Sequence, residues 1–148
     1  MSDIVVDDRQ WQSFLLKLSS KKFDRSTRRA MIEGARILQK SARSSLSAKV
    51  RNTGRKKFPT WPTMQSGVRV STKNEDVKVH IMGEFRLKFF EKGVAERHWK
   101  RVSKKGSHKS TGSITATHFF QIAQQHSSQA IFSKMDRLIG ESLDKVAK

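Results

Sequence analysis

The chain of 148 residues contains no cysteine. This absence excludes a disulfide framework, a thiol nucleophile and a cysteine-ligated zinc site, and it is compatible with a reducing cytoplasm. No apolar run approaches the roughly 18 residues that a membrane-spanning helix needs. The acidic N-terminal stretch MSDIVVDD lacks the cationic flank of a secretory signal. We therefore expect neither a membrane span nor a secretory signal.

Acidic residues are scarce, since 13 Asp and Glu stand against 31 Lys and Arg and give a formal net charge of +18. A cationic surplus of this size indicates a polyanionic partner or neighbour, such as nucleic acid, a phospholipid surface or an acidic protein face. The alternative is a soluble domain whose surface happens to be basic. The charge bears on partners and says little about the fold.

Catalytic and metal-binding signatures are also missing. The sequence has no HExxH, GxSxG or GxxxxGK[ST] motif, and its five histidines show no metal-ligand spacing. We therefore predict no enzymatic activity, no catalytic residue, no metal and no cofactor. A small nuclease with His98 or His108 as acid or base is the enzymatic alternative, but nothing in the sequence orients these side chains.

Three short stretches, residues 68–72, 77–82 and 85–89, alternate apolar residues with polar or cationic ones. This period of two predicts three consecutive antiparallel strands with one apolar face and one mostly cationic face. Their connections are short and polar or contain glycine, as hairpin turns require. An apolar sheet face needs a cover, and the flanking helices are the elements that can supply it.

Helical periodicity precedes and follows these strands. Apolar spacing predicts a helix over residues 11–18, a second helix from Asp24 to about Leu46, and a long last helix with Thr117 as its N-cap. The second helix has a stripe of mostly small residues, which lets it approach another backbone closely. Its outer face is strongly cationic and is either a solvated face or a contact surface.

The predicted fold is therefore α+β, in a single domain that spans residues 1–148. A small antiparallel β-meander is covered on one face by the N-terminal helices and the long C-terminal helix. We expect the part of the last helix from Phe132 to Val146 to form the lid over the sheet.

Two basic segments, at about residues 48–63 and 94–113, are predicted to be mobile loops. Pro59 and Pro62 exclude a helix from the first segment, and the second is long for a compact domain, so it is functional or is ordered by a partner. The candidate residues for contact with a partner or DNA all lie in these segments: Lys49, Arg51, Arg55, Lys56, Lys57, Arg97, Lys100, Arg101, Lys104, Lys105 and Lys109.

Four short motifs follow one another along the chain: Thr53-Gly54, Ser66-Gly67-Val68, Phe89-Phe90-Glu91-Lys92-Gly93 and Phe119-Phe120-Gln121-Ile122-Ala123. Their order resembles that of the small tail-completion, or neck, proteins of long-tailed phages. The resemblance covers roughly residues 30–146. The chain departs from the family pattern by an insertion at residues 55–63, by the absence of a proline before the last helix, and by a longer basic excursion at residues 96–112.

This resemblance implies a non-enzymatic virion protein. Members of the family sit as copies in a ring at the junction between head and tail, where DNA passes through the channel. The implied partners are other neck and tail proteins and further copies of the chain, with nonspecific DNA contact as a further expectation and no membrane. The implied location is the virion, and the host cytoplasm before assembly.

The residues themselves leave another function open. A stand-alone, sequence-nonspecific nucleic-acid-binding module would use the same basic segments, with Phe58, Trp61 and Trp99 stacking on bases. The alternative role of Phe58 and Trp61 is to pack their segment back onto the core.

Overall fold

The computed structural model describes residues 12–13, 15–17, 19, 21–56, 62–73, 76–102, 108–110 and 112–147. Its named helices are α1 (Lys21–Lys49), α2 (Arg86–Lys92) and α3 (Phe119–Ala147), with a 3-10 turn at Gln65–Gly67. Its strands are β1 (Arg69–Ser71), β2 (Lys78–His80), β3 (His98–Val102) and β4 (His108–Ser110). Residues 12–13 and 15–17 are also helical. The fold is α+β, as predicted.

The two 29-residue helices, α1 and α3, pack against each other in antiparallel orientation. Ser41 Oγ donates to Ala123 O at 3.5 Å, whereas a Cβ added to Gly34 would lie 3.1 Å from Ile131 Cγ2 and from Met135 Sδ. Residue numbers therefore fall along α1 as they rise along α3. The small residues of α1 allow this close approach, as their pattern indicated.

Strands β1 and β2 form the predicted antiparallel hairpin, with Val70 opposite Val79. The hairpin lies against α1, because Gln39 Nε2 and Arg43 Nη2 both donate to Val68 O, at 2.9 and 3.0 Å. The first two strands of the meander are thus confirmed.

The third predicted strand is wrong, since residues 86–92 form helix α2. Phe85, Leu87 and Phe89 alternate with polar residues, but in a segment this short such alternation does not exclude a helix. The helical turn buries Leu87 and leaves Phe85 and Phe89 exposed. The sheet therefore has two strands, β1 and β2, with a helix in the third place.

The lid over the sheet also differs from the prediction. Helix α1 lies against the β1–β2 hairpin, and α3 packs along α1. Phe132, which begins the predicted lid, is 64% exposed. Helix α3 begins at Phe119, and α1 begins at Lys21 instead of Asp24.

The buried core lies where the C-terminal part of α1, the start of the hairpin, α2 and the first turns of α3 meet. Its members are Ala42, Leu46, Met64, Val68, Leu87, Phe119 and Ala123. One cluster therefore holds the end of α1 and the start of α3 together. Both basic segments are attached to these two helix ends.

Candidate interaction surface

The two basic segments leave the molecule at the same end of the helix pair. Helix α1 ends at Lys49 and α3 begins at Phe119; because the helices are antiparallel, these termini are neighbours. The first segment follows α1 directly, and the second joins α3 through the antiparallel bridge between Val94 and Ile114. We call residues 49–56, 97–102 and 108–110 the basic end.

Hydrogen bonds to Thr53 hold the first segment in place. Thr53 is 3% exposed, and Gln65 Nε2 donates to Thr53 Oγ1 and to Ser47 Oγ at 3.1 and 2.7 Å. Gln65 N also donates to Thr53 O at 3.3 Å. The threonine of the Thr53-Gly54 motif thus has a structural role, since it ties residues 50–56 to α1 and to the 3-10 turn.

The fixed backbone of this segment presents cations to solvent. Lys49, Arg51, Arg55 and Lys56 are all exposed. Lys57 lies outside the described residues, as do Phe58 and Trp61, so the roles predicted for these three residues stay predictions.

The second segment contains a β-hairpin where we predicted a loop. Strand β3 pairs antiparallel with β4, with His98 opposite Ser110 and Val102 opposite His108, and the register shifts between these pairs. Arg97 is exposed immediately before β3. The backbones of Lys100 and Arg101 lie in β3 and that of Lys109 in β4, whereas Lys104 and Lys105 lie outside the described residues.

The C-terminal end of α2 anchors this hairpin and α3. The Glu91 carboxylate accepts hydrogen bonds from Phe120 N at 2.9 Å and Gln121 N at 3.3 Å. Phe90 O accepts from Thr117 N at 2.7 Å. Gly93 has φ of 74°, and a Cβ there would lie 2.9 Å from Ile114 O, so a side chain does not fit.

The structure corrects the prediction that Thr117 is the N-cap of α3. Its hydroxyl donates to Phe90 O at 2.8 Å, and the carboxylate at the start of α3 comes from Glu91, 29 positions earlier in the chain. Local sequence around α3 carries no signal for this contact. The Phe89–Gly93 motif is therefore a structural joint between α2 and α3.

The acids nearest to the basic end are engaged in internal contacts. Glu84, whose side chain is 2% exposed, pairs with Arg86 at 2.5 Å. Glu91 binds the start of α3, and Glu96 accepts a hydrogen bond from Ser110 Oγ. Residues 48–63 and 97–113 contain no Asp or Glu. Cationic residues therefore dominate the electrostatics of the basic end.

A further acid, Asp76, lies at the tip of the β1–β2 hairpin. Asp76 pairs with Lys78 at 2.8 Å, and the hydrogen bond and charge of Lys78 hold the pKa of the Asp76 carboxyl below its usual value. Arg28 Nη2 reaches Thr72 O at 3.4 Å, so this tip points towards the N-terminal part of α1. The acid lies away from the basic end.

The cationic outer face of α1 is divided between internal contacts and solvent. Arg28 and Arg43 donate to backbone carbonyls of the hairpin, and Arg36 pairs with Glu33 at 2.6 Å. Arg25, Arg29 and Lys40 are exposed. Half of this face is thus engaged in holding the fold, which makes the basic end the stronger candidate for contact with a partner.

Within the described part of the chain, no group of three or more His, Asp or Glu residues could hold a metal ion. No helix formed by the described residues is long and apolar enough to cross a membrane. His98, His118 and His126 are exposed.

The structure defines an α+β protein with an antiparallel helix pair and two cationic segments at one end of it. Comparisons of the chain with models of protein families, with curated proteins and with solved structures find no match. A functional proposal therefore depends on the residues and on their arrangement.

Proposed function

We propose that the protein is a structural component of the virion of a tailed phage or prophage. It would complete the tail or neck at the head–tail junction by assembling into a ring, with DNA passing nearby. The observation that carries this proposal is the convergence, at one end of a helix pair, of two cationic segments that contain no acid over residues 48–63 and 97–113. The motif order that resembles tail-completion proteins supports the class of protein.

The exposed cations of the basic end suit contact with DNA that slides past the protein. Lys49, Arg51, Arg55 and Lys56 are displayed from a segment that Thr53 fixes. Phosphate contacts position nucleic acid without reading its sequence. In a ring, the basic ends of several copies would surround the channel and concentrate positive charge on the passing DNA, or would contact acidic faces of neighbouring subunits.

The proposal includes no catalytic step, cofactor or membrane contact. The chain would reside in the host cytoplasm until assembly and in the virion afterwards. Its partners would be other neck and tail proteins and further copies of itself.

Replacement of residues 100–109 by a short Gly-Ser linker tests the proposal. We expect the variant to fold, because the replaced stretch contains neither the core residues Leu46, Leu87 and Phe119 nor the Val94–Ile114 bridge. We also expect it to block the joining of heads to tails, scored by electron microscopy of particles from cells that carry the viral genome.

A matched control separates this effect from a loss of charge alone. The control replaces five exposed cations elsewhere by glutamine: Arg25, Arg29, Arg36, Lys40 and Lys145. The linker variant also loses five cations, and we expect the control to join heads and tails normally. Normal joining by a folded linker variant would count against the proposal.

The second candidate is a stand-alone nucleic-acid-binding module. The absence of acids from residues 48–63 and 97–113 favours it equally. The two functions differ in the affinity of the isolated protein for DNA at physiological salt, because a dedicated binder must retain that affinity outside a ring.

A further inference from the structure

Helix α2 and the turn before it expose three apolar side chains. Met82 is 61% exposed, Phe85 56% and Phe89 40%. The rings of Phe85 and Phe89 stand edge to face, with centroids 6.1 Å apart, so the two side chains contact each other. Aromatic residues and methionine are enriched at the centres of protein interfaces. This face therefore has the composition of an interface centre.

The charges of α2 are sorted between its two sides. Both acids of the segment are turned inwards, where Glu84 pairs with Arg86 and Glu91 holds the start of α3. Lys88 and Lys92 are exposed, and neither makes an ion pair with any described residue.

Spacing along α2 places the lysines beside the aromatic pair. Phe85 and Phe89 are four residues apart, as are Lys88 and Lys92, so the two pairs form neighbouring rows along the helix. The result is an apolar centre with a cationic edge, and residues 84–92 place no acid on that side.

We propose that Phe85 and Phe89 form a docking site for an acidic protein that offers an apolar face, with Lys88 and Lys92 pairing with carboxylates beside that face. This site is separate from the basic end, and it goes beyond the proposed function because it requires neither DNA nor a ring.

Charge complementarity selects this occupant over the others. A second copy of the chain would bring lysines against lysines and another net charge of +18. A DNA backbone would pair with the lysines but would leave the apolar side chains without a contact. An anionic bilayer would be bound by only three apolar side chains, on the seven-residue α2 and the turn before it, an anchor too small for stable insertion.

The test uses a fluorescein-labelled, 18-residue amphipathic helical peptide with leucines on one face and glutamates on the other. Binding to the full chain is measured by anisotropy at 150 mM salt. We expect saturable binding, and at least a tenfold weaker affinity for Phe85→Ser/Phe89→Ser, since aromatic groups at an interface centre dominate binding energy. Lys88→Glu/Lys92→Glu should weaken binding by at least tenfold as well. Because this variant keeps the aromatic pair, it tests the proposal even if the serine variant fails to fold.

Two controls match these variants in chemistry but lie elsewhere. Phe132→Ser removes another exposed phenylalanine, on α3, and Arg25→Glu/Arg29→Glu reverses the charge of two exposed cations that are four residues apart on α1. Both should bind the peptide within twofold of the unaltered chain. A peptide with serines in place of its leucines should not bind.

Three outcomes would overturn the proposal. Equal weakening by Arg25→Glu/Arg29→Glu, or equal binding of the serine peptide, would show that bulk charge alone drives association. Self-association of the chain that Phe85→Ser/Phe89→Ser abolishes in sedimentation would make a second copy the occupant. Binding to phosphatidylserine vesicles that depends on Phe85 and Phe89, without binding of the peptide, would make the occupant a lipid surface.

Discussion

Glu91 lies on α2, but its carboxylate binds the first free N–H groups of α3. Such groups have no partner within their own helix, and a negative charge beside them also interacts favourably with the helix dipole. Gln65 acts in a similar way across elements, since its amide joins Thr53 to Ser47. Single polar side chains thus connect elements that are distant in the sequence.

Replacement of Glu91 by alanine should lower the free energy of unfolding by about 0.5–2 kcal/mol, the usual cost of removing a helix cap. Urea denaturation monitored by circular dichroism measures the change. The control is Glu141→Ala on α3, which removes an exposed carboxylate that lies 3.6 Å from Arg137. We expect that control to stay within about 0.5 kcal/mol of the unaltered chain. Equal destabilisation of both variants would contradict the capping role of Glu91.

Among the secondary-structure elements, α2 connects the 3-10 turn that precedes the hairpin with α3. It approaches the 3-10 turn so closely that a Cβ added to Gly67 would lie 2.5 Å from Glu84 Cβ and 2.7 Å from Leu87 Cδ1. Its other end holds α3 through Glu91. The hairpin, α2 and α3 are therefore coupled through contacts that leave little free space.

Gly67→Ala should destabilise the protein by about 1–3 kcal/mol, because the added methyl group forces this packed contact apart. The matched substitution is Gly140→Ala on α3, where an added Cβ meets nothing within 4 Å. Alanine should stabilise this helix by about 1 kcal/mol. Thermal and urea denaturation of both variants measure the two changes in the free energy of unfolding, which should have opposite signs. If Gly67→Ala stabilised the protein, the close approach of α2 to the 3-10 turn would be refuted.

For the molecule as a whole, the net charge of +18 is distributed unevenly. The arginines of α1 are partly engaged with the hairpin, and the acids of residues 84–96 are engaged in internal contacts. The antiparallel helix pair then brings both basic segments to one end. The arrangement of the elements thus concentrates the charge in one region.

The isolated protein should bind a short DNA duplex at low salt, and its affinity should fall by about 10³-fold or more between 50 and 200 mM salt if six or more phosphates are bound. Anisotropy at several salt concentrations measures the slope. Glutamine at Lys49, Arg51, Arg55 and Lys56 should reduce that slope by about 0.9 for each phosphate that is no longer bound.

The same four changes at Arg25, Arg29, Arg36 and Lys40 provide the control, which should reduce the slope less. Tight binding that persists at physiological salt would favour the stand-alone nucleic-acid module. Weak binding there would leave assembly as the function, with charge acting where a ring concentrates it. Equal effects of the two sets of changes would contradict a DNA-binding role of the basic end.

Local pattern was sufficient for part of the fold. The long helices, the β1–β2 hairpin and the α+β class follow from periodicity, because burial of one face of each element imposes its period on the sequence. The small residues of α1 likewise indicated a close helix contact before its partner was known. The cationic residues of the candidate site and their lack of neighbouring acids could also be read directly from the chain.

The other features depend on contacts between residues far apart in sequence. Helix α2 stands where alternation predicted a strand, because a helix buries Leu87, packs Phe90 against the core and lets Glu91 serve α3. The convergence of the basic segments required the antiparallel pairing of α1 and α3, which periodicity does not specify. The exposed Phe85 and Phe89, which alternation had placed on the apolar face of a sheet, became candidates for binding only once the tertiary structure left them on the outer face of α2.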